Sequence, residues 1–263
     1  MRIVVFRKNA VIATIILVVV TLAAVIFSGS VVQSAVSTTA AARSLPIYSV
    51  KRNDNKASIS FDAAWGNEDT QQIIDILAQY EVKATFFVVG EWVDKYPESV
   101  QALHDAGHEI MNHSDTHPYM TKLSAQEMLK EVNSCSDKIE RVTGVRPHLF
   151  RPPYGDYNDQ VVETLLENGY YTIQWSIDSL DWKDLSAKEI TSRVTNKMEA
   201  GSITLFHNAA LHTPEALPSI LEYAKNKGIE LVKISELIHT ENYKIDHTGQ
   251  QYQIDQPKET VGV

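Results

Sequence analysis

The chain has 263 residues, 44% of them hydrophobic, with 24 Lys and Arg against 33 Asp and Glu and a formal net charge of −9. That is ample for a buried core in one large domain or two small ones, and a single cysteine excludes a fold stapled by internal disulfides. Every acidic residue but only 18 of the 24 basic ones lie from Asp54 onwards, so this region carries −15 and repels phosphate backbones, which argues against nucleic-acid binding.

The chain opens with Arg2, Arg7 and Lys8, followed by an uncharged apolar run over 10–27. Its length is close to the roughly 20 residues that span a bilayer as a helix. Residues 1–27 therefore read as a transmembrane anchor, with a signal cleaved in the small polar stretch beyond it as the alternative. Basic residues ahead of the run direct everything after it out of the cytoplasm. The expected location is the cell membrane, single-pass with the body outside, or secreted if the segment is removed. Residues 28–55 are rich in Ser, Ala, Thr and Val and read as a linker.

From Lys56, β-rich runs alternate with amphipathic ones. Strands are predicted over 57–62, 83–90, 108–113, 148–153, 170–178, 202–207 and 229–234. Helices are predicted over 71–80, with apolar residues at 73, 74, 77 and 80, and over 125–144, 158–169 and 222–228, the last three ending on Gly144, Gly169 and Gly228. Cys135 falls in the second of these and reads as a small buried residue. The polar stretch 242–263 reads as a tail. Strands alternating with helices describe a parallel α/β barrel or a doubly wound sheet.

The reactive residues separate these two. Asp62, His113, Asp178 and His207 each end a predicted strand, and Arg151 lies near the end of another. Barrels gather their chemistry at the C-terminal strand ends, whereas an open sheet presents it at one crevice, so the barrel fits better. His113-Ser114-Asp115-Thr116-His117 places two imidazoles four residues apart, where a helical turn would aim both at one divalent metal. Arg151-Pro152-Pro153-Tyr154-Gly155 is a stiff turn able to hold Arg151 and aim the Tyr154 N–H at a ligand oxygen. Asp178 and His207 are candidates for a carboxylate–imidazolium pair. Trp65, Trp92, Tyr119, Trp175 and Trp182 are either sugar-stacking platforms or core.

In this order, the residues resemble the five motifs of the polysaccharide deacetylases of carbohydrate esterase family four, the NodB homology domain. The motifs are Phe61-Asp62, the His113–His117 segment, the Arg151–Gly155 turn, Asp178-Ser179-Leu180-Asp181-Trp182 and Leu205-Phe206-His207. The resemblance implies a deformed (β/α)7-type barrel over 56–241, preceded by the N-terminal transmembrane helix. It also implies hydrolysis of N-acetyl groups on amino sugars of cell-wall or spore peptidoglycan, or of a chitin-like glycan. By that resemblance Asp62 is the general base, Arg151 orients it, His207 is the acid and Asp178 supports His207. His113 and His117 would ligate a divalent metal, Zn²⁺ first and Co²⁺ or Mn²⁺ as alternatives. The Tyr154 N–H would stabilise the oxyanion, and Trp182 and Leu205 would wall the acetyl pocket.

One position departs from the pattern. The family has a second aspartate after the first as its third metal ligand, and here that residue is Ala63, followed by Ala64-Trp65-Gly66. In this the chain most resembles a sporulation-associated branch, the PdaB-like proteins. Three repairs are conceivable: Asp62 enters the metal shell, a water takes the place, or Asn67, Glu68 or Asp69 reaches in. Those last three residues also suit a helix cap. Two readings follow, an exported deacetylase and a catalytically weak or inactive glycan-binding protein.

Overall fold

The computed structural model describes residues 43–254, together with 17–19 and 21 of the N-terminal segment. The span expected over 10–27 lies almost wholly outside the described residues. Among them, no helix is long and apolar enough to cross a membrane. The compact unit that carries the strands begins at Arg43.

Its strands are β1 (Ser49–Val50), β2 (Lys56–Ala63), β3 (Thr85–Val88), β4 (Glu109–Asn112), β5 (Leu149–Phe150) and β6 (Tyr171–Thr172). They continue as β7 (Ile177–Asp178), β8 (Ile203–His207), β9 (Glu230–Leu231), β10 (Tyr243–Ile245) and β11 (Gln250–Gln253). The main sheet runs β6-β5-β4-β3-β2-β8-β7, with β9 also on β2, and every pairing in it is parallel. This is a curled parallel sheet backed by helices.

Strand β2 shows why the sheet holds a polar interior. Its odd residues Ala57, Ile59 and Phe61 are fully buried in the cluster that contains Ile73, Leu77, Leu217 and Ile220 of the covering helices. The Phe61 ring lies 4.8 Å from Phe86 and 5.5 Å from Phe206. The even residues Ser58, Ser60 and Asp62 take the opposite face, as a two-residue period requires. Ser58 and Ser60 donate to Val232 O at 2.6 Å and Thr204 O at 2.8 Å.

Helices begin and end where their local signals stand. The helix Ala125–Thr143 opens on a capping box between Ser124 and Glu127 and closes on Gly144 in the left-handed region at φ 75°. The helix Asp159–Glu167 is capped by Asn158, whose side chain accepts from Val161 N. The helix Thr213–Asn226 begins well before the predicted 222–228, with Pro214 in its first turn, where no N–H is needed, and Pro218 inside. Cys135 is buried, as read.

Two differences from the predicted elements have long-range causes. The predicted strand 170–178 is split into β6 and β7, which form opposite edges of the curled sheet. Its first half pairs with β5 and its second with β8, so neither ladder extends the full length. Between them, Gln174 N donates to Ile47 O at 2.8 Å and Ser176 N to Ile203 O at 3.0 Å. One continuous run therefore spans the gap between the edges.

The second difference concerns the predicted linker and tail. A small three-stranded sheet, β1-β11-β10, takes β1 from one and β10 and β11 from the other. Residues that pair at 49 and 250 leave no local periodicity to read. Ile47 and Val50 are buried with Phe87, Met111, Leu149 and Ile203 in a second apolar cluster.

Candidate active site

Strand ends bring the predicted residues to one mouth. Asp62 is the penultimate residue of β2, His113 follows β4, Arg151 follows β5, and Asp178 and His207 end β7 and β8. Asp62, His113, His117, Tyr154, Asp178 and His207 line one cavity of about 410 Å³, with Trp65, Trp182 and Leu205 also in its wall.

Arg151 lies beneath this cavity and is fully buried. Its Nη1 donates to Asp62 Oδ1 at 2.8 Å, and its Nη2 to Ser60 Oγ at 2.9 Å and Gln174 O at 3.3 Å. The guanidinium carbon sits 4.1 Å from the Phe87 ring centroid. Burial works against an Asp62 carboxylate, yet the charges of Arg151, His113 and His207 outweigh it and hold its pKa below the usual range. Arg151 thus orients Asp62 and keeps it anionic.

The His113 ring is fixed by a 2.7 Å bond between Nδ1 and Arg151 O. A carbonyl only accepts, so Nδ1 carries a hydrogen, and Nε2 stands 3.5 Å from Asp62 Oδ2. The two imidazoles come together with ring centroids 5.0 Å apart, but not through the helical turn that the spacing suggested. Ser114 and His117 both adopt positive φ, 68° and 61°. Glu131 pins the loop by accepting from Asp115 N at 3.0 Å and Thr116 N at 2.8 Å. Asp115 faces away from the cavity, paired with Lys138 at 2.7 Å. Burial, and then the neighbouring His113, push the His117 pKa down to about 4.

His207 is held by a residue the sequence reading missed. Its Nδ1 bonds Asp181 Oδ1 at 2.8 Å, while Asp181 Oδ2 accepts from His207 N at 2.8 Å and Thr213 Oγ1 at 2.7 Å. The expected partner, Asp178, instead accepts from Leu180 N at 2.9 Å and so shapes the turn that carries Trp182. The positive φ of Leu180, 54°, turns the chain directly before Asp181, the second aspartate of the Asp178–Trp182 motif, which meets the imidazole. The available signal was a motif with two aspartates three apart, and only the turn decides between them. Burial opposes a charged imidazole, but the Asp181 bond and the charges of Asp181, Asp62 and Asp178 prevail and raise the His207 pKa.

Tyr154 is 59% exposed at the cavity rim, in the left-handed region at φ 60°. Its turn is closed by Gly155 N and Asp156 N, which donate to Pro152 O at 3.1 Å and Pro153 O at 3.0 Å. This leaves the Tyr154 N–H outside the turn's own bonds. Tyr119 stacks on the Tyr154 ring at 4.3 Å. Trp92 is buried, and Trp175 is half-buried close to Arg151.

The residues present do not fit the metal centre expected from the resemblance. Among the described residues, no three His, Cys, Asp or Glu side chains form a group able to hold a metal ion. Ala63 is buried and brings no donor atom, and one oxygen of Asp62 is already committed to Arg151. The neighbouring candidates are occupied or turned outward: Asn67 Nδ2 donates to Ser99 Oγ at 3.0 Å, Asp69 Oδ2 accepts from Ala209 N at 2.9 Å, and Glu68 is exposed. Asp69 does stand at the N-cap of the helix Thr70–Gln79, but makes no side-chain cap bond there.

The polysaccharide deacetylase family model matches residues 49–173, and a peptidoglycan-N-acetylglucosamine deacetylase of Bacillus cereus is 34% identical over 196 residues, 73% of this chain and 92% of its own length. The chain belongs to the polysaccharide deacetylase family. Within that family it is 37% identical to the Bacillus subtilis peptidoglycan-N-acetylmuramic acid deacetylase PdaC over 72% of this chain, and spans 40% of PdaC's length. Among solved deacetylase-family structures, BA3943 from Bacillus anthracis, described as a carbohydrate esterase family four pseudoenzyme, aligns with TM-score 0.71 and 34% identity, covering 74% of this chain and 69% of that one.

Proposed function

We propose that the protein is a carbohydrate N-deacetylase of the cell envelope, hydrolysing N-acetyl groups of amino sugars in peptidoglycan or a chitin-like glycan. One observation carries this reading: two groups of opposite protonation bias face a single cavity, Asp62 biased to the anion by Arg151 and His207 biased towards the cation by Asp181. Arg151 engages Asp62 Oδ1, so Oδ2 is the oxygen placed to take a proton from an attacking water. The water oxygen bonds to the acetyl carbonyl carbon, and the Tyr154 N–H donates to the resulting oxyanion. Asp181 occupies Nδ1 of His207, so Nε2 delivers the proton to the amine nitrogen as the C–N bond breaks, giving acetate and a free amine. Trp182 and Leu205 wall the space for the acetyl group.

The basic residues ahead of the 10–27 run support a protein exported and held at the membrane by that segment. The Ala63–Gly66 stretch supports membership of the sporulation branch, with spore peptidoglycan as the polymer. A second reading, glycan binding without turnover, is favoured by the incomplete metal donor set at Ala63 and by the likeness to a pseudoenzyme.

Acetate release from peptidoglycan by the full chain, with Zn²⁺, Co²⁺ or Mn²⁺ supplied, tests both. The deacetylase reading expects release that falls by roughly 100-fold or more in Asp62→Asn and His207→Ala, and that rises together with bound metal in Ala63→Asp. No release under any of these conditions, with glycan binding indifferent to chelator and to Asp62→Asn, establishes the second reading instead.

A further inference from the structure

The loop that replaces the expected third ligand carries a tryptophan, and that residue is held in place. Trp65 is 57% exposed, yet its loop is stitched to the loop after β8. Ala64 N donates to Asn208 Oδ1 at 3.2 Å, Asn208 Nδ2 donates to Gly66 O, and Ala209 N donates to Asp69 Oδ2 at 2.9 Å. Trp92 Nε1 adds a bond to Gly66 O at 2.9 Å. Asn208 is buried, and its own N–H is tied to Asp62 O at 3.1 Å, so water competes little for the bonds of its side chain. The Trp65 indole consequently stands over the site, 6.1 Å from the His117 ring and 6.4 Å from that of His207.

Trp65 is also a wall shared by two cavities. Beside the catalytic cavity lies a second of about 340 Å³, bounded by Asp184 and Asn208–Ala210 and sharing Trp65, Trp182 and His207 with the first. No Lys or Arg lines it, which disfavours an anionic occupant. Trp182, 54% exposed, is the second indole common to both spaces. Half-exposed indoles along a cleft leave apolar faces in water unless a ligand covers them; Lys183 Nζ lies 4.8 Å over the Trp182 ring, whereas among the described residues no such cation lies over the exposed Trp65 ring. A pyranose presents an apolar C–H face with hydroxyls at its edge, and Asp184 supplies an acceptor for such hydroxyls.

We infer that Trp65 is a sugar-stacking, specificity-determining residue, and that the second cavity takes the next unit of a neutral, N-acetylated amino-sugar chain whose reacting unit occupies the first. Asn208 and Asp69 are the positioning residues that hold Trp65 in the cleft. This rests on the polysaccharide reading of the site, but its test does not use acetate release.

Calorimetric titration of the full chain with the monomer and the tetramer of N-acetylglucosamine reads it directly. Trp65→Ala weakens tetramer binding by roughly five- to tenfold and monomer binding, through the wall shared with the first cavity, by roughly twofold at most, while Trp65→Phe restores most of the tetramer loss. Asn208→Ala weakens the tetramer on its own but adds nothing in the Trp65→Ala background, which a purely structural role would not produce. Tetramer binding unchanged in Trp65→Ala, or no binding of the tetramer by the parent chain, overturns the inference. A chain that binds through Trp65 but never releases acetate sinks the deacetylase reading alone and leaves this one standing.

Discussion

At the scale of single residues, the site depends on which carboxylate meets which base. Asp62 and His207 face one space, but each gets its protonation bias from a different buried partner, Arg151 on one side and Asp181 on the other. Asp181 makes two bonds to His207, whereas Asp178 makes none and turns instead to Leu180 N. The pH profile of acetate release separates the two aspartates. With His207 as the acid, as proposed, its alkaline limb follows loss of the His207 proton, and the Asp181 partnership raises that pKa. Asp181→Asn moves the alkaline limb to lower pH, while Asp178→Asn moves it much less. Equal shifts for the two variants would show that charge near the cleft, rather than the Asp181 bond, sets the limb.

At the scale of elements, the entry to β4 carries a buried neutral histidine. His108 Nδ1 accepts from Ala84 N at 3.1 Å and the ring packs 5.3 Å from Phe86, with Nε2 buried and unpartnered. Burial, and then the Lys83 charge, push its pKa down to about 4. A histidine depressed in the folded state binds fewer protons folded than unfolded, so its contribution is full above the unfolded value. That contribution fades as pH falls from the ordinary histidine range towards 4. The expected slope in this window is about 1.4 kcal/mol per pH unit from this residue. His108→Asn, which keeps an acceptor for Ala84 N, flattens that part of a denaturant-derived stability curve. An unchanged slope would place the acid sensitivity elsewhere.

At the scale of the whole molecule, the curled sheet is completed by segments remote in sequence. The run 171–178 reaches from one sheet edge to the other, and β1 and β11 pair across almost the full length of the compact unit. Gly201 makes the docking of β1 possible. It accepts from Val50 N at 2.9 Å, its φ is +83°, and a Cβ there would stand 1.6 Å from Val50 O. Because the obstacle is backbone, Gly201→Ala cannot be relieved by a side-chain rotation. It is expected to cost roughly 2 kcal/mol or more, read as a lower denaturant midpoint. A midpoint like that of the parent chain would mean that β1 contributes little to stability.

Local periodicity was enough to place Asp62, His113, Arg151 and His207 at strand ends, because a two-residue alternation and a glycine stop are written within a few residues of each site. The same reasoning located the helix Ala125–Thr143, whereas the departure at Ala63 was legible only against the motifs of the family that the chain resembles. Other features were decided only by tertiary structure. The turn at Leu180–Asp184 chose Asp181 over Asp178, the two halves of 170–178 found different neighbours, and the Asn208 loop pinned Trp65 over the cleft. Each of these depends on a contact between segments far apart in the chain, and local propensity and pattern carry no record of such contacts.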